Sequence, residues 1–282
     1  MINKPSKAEA KREAKSKRKA KSKSKAKSKR HVCKRQCCVK NFLFDRIPYV
    51  IDSFRLNYIF WIISVLSVVV LSYFEEKSNI IHMLPSRILS GISTFVITMV
   101  FGYYMHLICH TYDVQLLYEQ SNLFIFKYCR TIPWLDKAIK TILIYTFDFH
   151  DKIHHDLLVN KLPANVVIEC LINIIIEGGV LLFFATYVDF SIYINNYVFR
   201  FNRAVIILWG LLYSSVHNIN YNIIHPIEHQ NHHKECCTNF GIDTLDILLD
   251  SKYDIKNVEI FNHAAINIIV ITLFILYYKI IL

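Results

Sequence analysis

Apolar residues in this chain fall into long unbroken runs, not an alternating pattern. The runs cover residues 58–74, 88–105, 166–188, 199–216 and 264–282. Each holds about 17 or more residues, the length a helix needs to cross the hydrocarbon core of a bilayer. Between them lie a short polar loop at 75–86, a mixed stretch at 111–165 that includes an amphipathic segment at 135–147, and a polar, histidine-rich stretch at 218–263. This pattern predicts an all-α integral membrane protein. Four transmembrane helices form two hairpins, the C-terminal run offers a fifth helix that spans or lies in the interface, and the two polar stretches form a helical cap.

Charge sets the expected orientation. Residues 1–40 carry 17 of the 33 Lys and Arg against only Glu9 and Glu13, a net +15, which leaves the other 242 residues at 16 − 20 = −4. A tail this basic, without apolar period, predicts a disordered cytosolic segment over 1–45 ahead of a membrane domain over 46–282. The tail suits anionic cytosolic lipid or serves simply to fix the topology, and no nucleic-acid partner is expected. Both polar stretches then face the cytosol, while Arg200 and Arg203 fall on the far side. The eight cysteines show no paired CxxC spacing and read as free thiols; Cys37 and Cys38, just before the first run, are candidates for acylation.

Of the 13 histidines, ten lie between residues 106 and 233. They form His106-x3-His110, His150-x3-His154-His155 and His229-x2-His232-His233, with His217 at the end of the fourth run and His225 one turn before His229. Histidines three or four apart share a helix face, so each box points its imidazoles one way. Neutral imidazole is a common ligand for borderline metals. Nine such groups exceed what one ion needs and suit two. His225 is a further candidate ligand. Asp151, Asp156 and Glu228 adjoin the boxes, and Glu169 lies in the third run near its cytosolic end; all are candidates to orient a ligand imidazole. Glu177 sits deeper in that run, beside Gly178 and Gly179. No glycine-rich nucleotide fingerprint is present, so the chain offers no obvious nicotinamide or ATP site of its own.

The boxes resemble those of the membrane-bound fatty acid hydroxylase and sterol desaturase superfamily. The likeness runs over residues 100–255 and continues past the third box through Asn239-Phe240-Gly241 and Asp246. It implies a centre of two Fe ions held by His106, His110, His150, His154, His155, His217, His229, His232 and His233. It implies an oxidoreductase that uses O2 to hydroxylate or desaturate a lipid (a sterol, sphingolipid or fatty acyl chain) at the endoplasmic reticulum, with electrons from a donor such as cytochrome b5 and its reductase. The chain departs from the family in three places. The 39 residues between His110 and His150 exceed the usual gap and read as an insertion, Tyr221 stands where some members have another histidine, and Asp250-Ser251 replaces a Gly-Thr pair. The competing readings are a histidine-rich metal transporter or sensor, and a catalytically inactive family member.

Overall fold

The structure is a computed structural model and describes residues 43–75, 84–148, 150, 163–187, 191–194, 197–235 and 237–281. The basic tail, and with it Cys37 and Cys38, lies outside the described residues.

Helix α1 (Leu43–Leu56) is amphipathic, and it meets α2 (Tyr58–Tyr73) at a bend of 73°. The side chain of Asn57 holds the bend. Its Nδ2 donates to the Glu259 carbonyl at 2.8 Å, and its Oδ1 accepts from the Phe261 amide at 2.6 Å. Asn262 answers from the other side, donating to the Leu56 carbonyl at 2.8 Å. A side-chain amide thus supplies the backbone partners that the interrupted helix lacks.

Helix α3 (Leu84–Thr111) has 28 residues. At about 1.5 Å per residue it is about 42 Å long, roughly 12 Å more than a bilayer core requires. The first histidine box rides on this surplus. Three short helices follow: α4 (Val114–Gln120), α5 (Phe124–Thr131) and α6 (Pro133–Leu143), the last continuing as a π-helical turn over Ile144–Asp148. Helix α7 (Pro163–Ile174) passes through a π-turn (Ile175–Gly179) into α8 (Val180–Tyr187).

The expectation of an all-α chain needs one correction. Strands β1 (Ser191–Ile194) and β2 (Tyr197–Arg200) pair antiparallel, Ser191 opposite Arg200 and Ile194 opposite Tyr197. The segment Ser-Ile-Tyr-Ile-Asn-Asn-Tyr-Val-Phe-Arg is rich in β-branched and aromatic residues around an Asn-Asn pair, a hairpin signature. The fourth apolar run therefore begins as a strand. Its helix, α9 (Arg203–Ser215), starts only after Asn202, whose side chain caps the Val205 amide at 3.1 Å.

Helix α9 lies at the centre of the bundle. It packs against α2, α3, α7, α8, the Ile175–Gly179 turn and the C-terminal helix, and Val205, Ile206, Leu208 and Leu212 are buried. Gly178 lies against α9: a Cβ there would be 3.1 Å from the Ile206 carbonyl and in van der Waals contact with Gly210. The chain continues through a π-turn (Val216–Asn220), α10 (Tyr221–Ile224), α11 (Ile227–Lys234), α12 (Asp243–Leu248) and α13 (Ala265–Ile281).

Among the described residues, three helical segments are long and apolar enough to cross a membrane: Leu84–Thr111, Pro163–Tyr187 and Asn262–Ile281, or four if the bent α1–α2 pair counts as one span. The set includes the C-terminal run but not α9, which the hydropathy pattern had placed among the four.

Candidate metal centre

Four imidazoles meet at the end of this bundle. His106 and His110 come from the last turns of α3, His150 from just beyond the Ile144–Asp148 turn, and His232 from α11; all four are buried. One ring nitrogen from each lies within 4.8 Å of all the others. The Nε2 atoms of His106 and His232 are 3.2 Å apart, and His150 Nε2 is 3.1 Å from Nε2 of both His106 and His110.

The opposite edges of two rings decide what these nitrogens are. His106 Nδ1 lies 2.7 Å from the Phe240 carbonyl, and His232 Nδ1 lies 2.7 Å from the Thr238 carbonyl. A carbonyl only accepts, so each Nδ1 carries the proton and each Nε2 of a neutral ring presents a lone pair. Two lone pairs facing at 3.2 Å repel unless a cation sits between them. Nitrogens held about 2.0–2.1 Å from one tetrahedral ion are about 3.3 Å apart, close to the spacings found here. The donor set therefore fits a metal ion.

The loop that supplies the two carbonyls is itself held. Asp246 on α12 accepts from the amides of Phe240 at 2.8 Å and Gly241 at 3.1 Å, and from the Ser251 hydroxyl at 2.6 Å; Tyr103 of α3 donates to Ser251 at 2.8 Å. Burial pushes the Asp246 carboxyl up to about 7, while those donors pull it down. Asn239 sits at φ 54°, a left-handed conformation that asparagine tolerates, and donates to the Glu228 carbonyl at 2.9 Å. At Gly241 a Cβ would lie 3.0 Å from the Tyr103 ring. The Asn-Phe-Gly…Asp pattern is thus the mount that aims His106.

A second group lies beside the first. His229 and His233, one turn apart on α11, bring their Nε2 atoms to 3.0 Å. The ring of His217 is 4.8 Å from that of His229, and its Nε2 is 3.6 Å from Glu169 Oε1. Burial lowers the pKa of His233, which favours the neutral ring. The third box therefore serves both groups: His232 turns toward His106, whereas His229 lies beside His217 and meets His233. The boxes alone, which placed all three on one face, did not reveal this division.

The remaining candidates fall as follows. His154, His155, Asp151 and Asp156 lie outside the described residues. His225 is exposed at φ 53° and joins neither group. Glu228 is buried, but its carboxylate accepts from Asn257 at 2.6 Å and braces the loop. Glu177 accepts from Trp209 Nε1 at 3.2 Å and fills the notch at Gly102, where a Cβ would lie 1.9 Å from its Oε2. Tyr213 packs flat against His217 (ring centroids 5.3 Å apart, planes at 12°), and its hydroxyl lies 3.2 Å from His106 Nδ1, so it touches both groups. Cys109, Cys129 and Cys170 are not in disulfides, whereas Cys237 is disulfide-bonded, a departure from the reading of the cysteines as thiols throughout.

Sequence reasoning missed Tyr213 and the two carbonyls, and it noted Ser251 only as a departure from the family pattern, not as a partner of Asp246. A backbone carbonyl has no residue identity, so no pattern announces it. Tyr213, four residues before His217 and hence on its helix face, was the one signal open to view. The chain matches no family model, no curated protein and no solved structure.

Proposed function

We propose that the chain is a membrane di-iron oxidoreductase that hydroxylates or desaturates a lipid with O2 and external electrons. One observation carries this reading: four buried imidazoles with two tautomers fixed from behind, next to a further three, at one end of helices apolar enough to lie in lipid. His106, His110, His150 and His232 hold one ion. His217, His229 and His233 hold the second, with His154 and His155 completing the set by their likeness to the second box of the family. Iron bound there supplies the activation of O2 that an unreactive C–H bond requires.

The protein's own part is positioning and exclusion. The Phe240 and Thr238 carbonyls keep the protons of His106 and His232 on Nδ1, so both Nε2 atoms stay available. Phe240, buried and backed by Tyr103, packs on the rings of His106, His110 and His232 and keeps bulk water from them. Glu169 orients His217 and offsets positive charge. Electrons come from a donor such as cytochrome b5 with its reductase, docking on the histidine face, which we take to be cytosolic in the endoplasmic reticulum. The basic tail steers an acidic donor to that face or holds anionic lipid.

A transport reading would need a polar path through the span. Its deepest carboxyl, Glu177, is sealed between Trp209 and Gly102.

Lipid mass spectrometry of cells expressing the chain, set against His232→Ala and paired with metal analysis of the purified protein, tests the proposal. The expected result is a hydroxylated or desaturated lipid made only by the wild type, which carries iron. Iron without any lipid product points to an inactive member of such a family, and absence of bound iron overturns the reading.

A further inference from the structure

Helices α4 to α6 take no part in holding the rings, and their construction is inverted for a water-soluble unit. No side chain of α5 or α6 is buried. Polar contacts join the three helices. The Tyr118 hydroxyl donates to Asp136 at 3.2 Å, Arg130 donates to the carbonyls of Tyr118 and Ser121, and Lys140 bridges Asp136 at 3.0 Å and Glu119 at 3.3 Å.

The large apolar side chains point outward instead: Leu123, Phe124, Ile125, Tyr128, Trp134 and Ile142, with Phe124 84% and Trp134 71% exposed. An open cleft of about 400 Å³ between the helices is lined by Val114, Leu117, Phe126, Ile139 and Leu143. In water such a surface invites aggregation. At a lipid interface it is the expected arrangement, with aromatic rings at headgroup level.

Two further observations identify the occupant. Helix α4 starts three residues after α3 ends, so it lies within about 10 Å of the end of a helix suited to cross a membrane. Residues 114–143 carry Lys127, Arg130, Lys137 and Lys140 against Glu119 and Asp136, a net 4 − 2 = +2, with Lys127 and Lys137 exposed. That charge matches anionic headgroups. Helix α1 repeats the inversion. Its Arg46 is buried against Asp250 at 2.8 Å, beneath the Asp246-bearing helix α12, while Phe44, Ile47, Ile51 and Phe54 are exposed.

We propose that α4 to α6 form a collar lying in the membrane plane at the histidine end. Its apolar side chains sit among the acyl chains, the cleft accepts one of them, and Lys127 and Lys137 lie among the phosphates. The expectation from hydropathy had put this stretch in the cytosol. The proposal does not depend on metal binding.

Bromolipid quenching of tryptophan fluorescence tests it, using the full chain in nanodiscs of phosphatidylcholine with phosphatidylserine. Trp134 is one of three tryptophans, so its signal is the difference between the wild type and Trp134→Phe. The expected result is strong quenching by bromines near the glycerol, weaker quenching near the chain ends, and poor access to aqueous iodide, consistent with burial about 5–10 Å below the headgroup boundary. Full iodide access with no bromolipid quenching overturns the proposal. So does a dimer in the nanodisc that Phe124→Glu with Ile125→Glu converts to a monomer, since the face would then belong to a second copy.

Discussion

The two histidine groups are built from the same residue type, yet their rings are held differently. In the first, uncharged backbone carbonyls fix His106 and His232 from behind, and every ring is buried. In the second, a carboxylate stands 3.6 Å from His217, and His229 and His233 are only half-buried. If both groups hold an ion, as proposed above, the one in the first would meet neutral donors alone, whereas the one in the second would also lie near the Glu169 carboxyl. The contrast teaches that ligand count does not set the properties of a site. The partners behind the ligands set ring basicity and local charge, and here they differ between neighbours.

Removing a ligand should break the comparison most severely. In His232→Ala the first group loses one of its four donors and the second keeps all of its own, so bound metal should fall by about half and lipid oxidation should be abolished. Metal analysis of purified protein checks this. Retention of full metal content would mean that the first group is not an ion site.

A smaller, paired effect should separate the groups by their supports. Asp246→Asn replaces one amide acceptor with an NH2 that faces the Phe240–Gly241 backbone. It should weaken metal binding at the first group by about 10–100-fold and leave the second unchanged. Glu169→Gln should do the reverse, with a loss of about 10-fold at the second. Equal losses at both sites in either variant would show that the two groups act as one unit.

The smallest effect lies outside both groups. Burial raises the Glu259 carboxyl to about 8. The folded chain thus keeps a proton that the unfolded chain releases near pH 4.3. The stabilisation is complete below that value and is lost as pH rises through 8. For metal-free protein, moving from about pH 6 to about pH 9 should lower the thermal midpoint by a few degrees, and Glu259→Gln should flatten that slope. A slope unchanged in the variant would assign the pH dependence elsewhere.

Much of this was open to view in the chain alone. The apolar runs that begin at 58, 88, 166 and 264 each lie on a helix over their described residues, because a run of that length can satisfy its backbone in lipid only by coiling. The spacing of His106 and His110 put them on one face for the same local reason. The start of the fourth run was harder to read: Phe199 looks apolar whether it forms strand or helix, and only its pairing with Ile192 across the hairpin decided between them.

What the sequence determined, then, is whatever depends on neighbours a few residues away: helix, membrane character, and histidines in pairs and triples. What the tertiary structure decided is whatever depends on residues far apart. His106 and His232 are 126 positions apart, and nothing local makes their nitrogens meet. The division of the third box, the carbonyls behind His106 and His232, the burial of α9 and the outward apolar faces of α4 to α6 all follow from packing. Side-chain direction is set by which helix lies alongside, and a linear pattern does not carry that information.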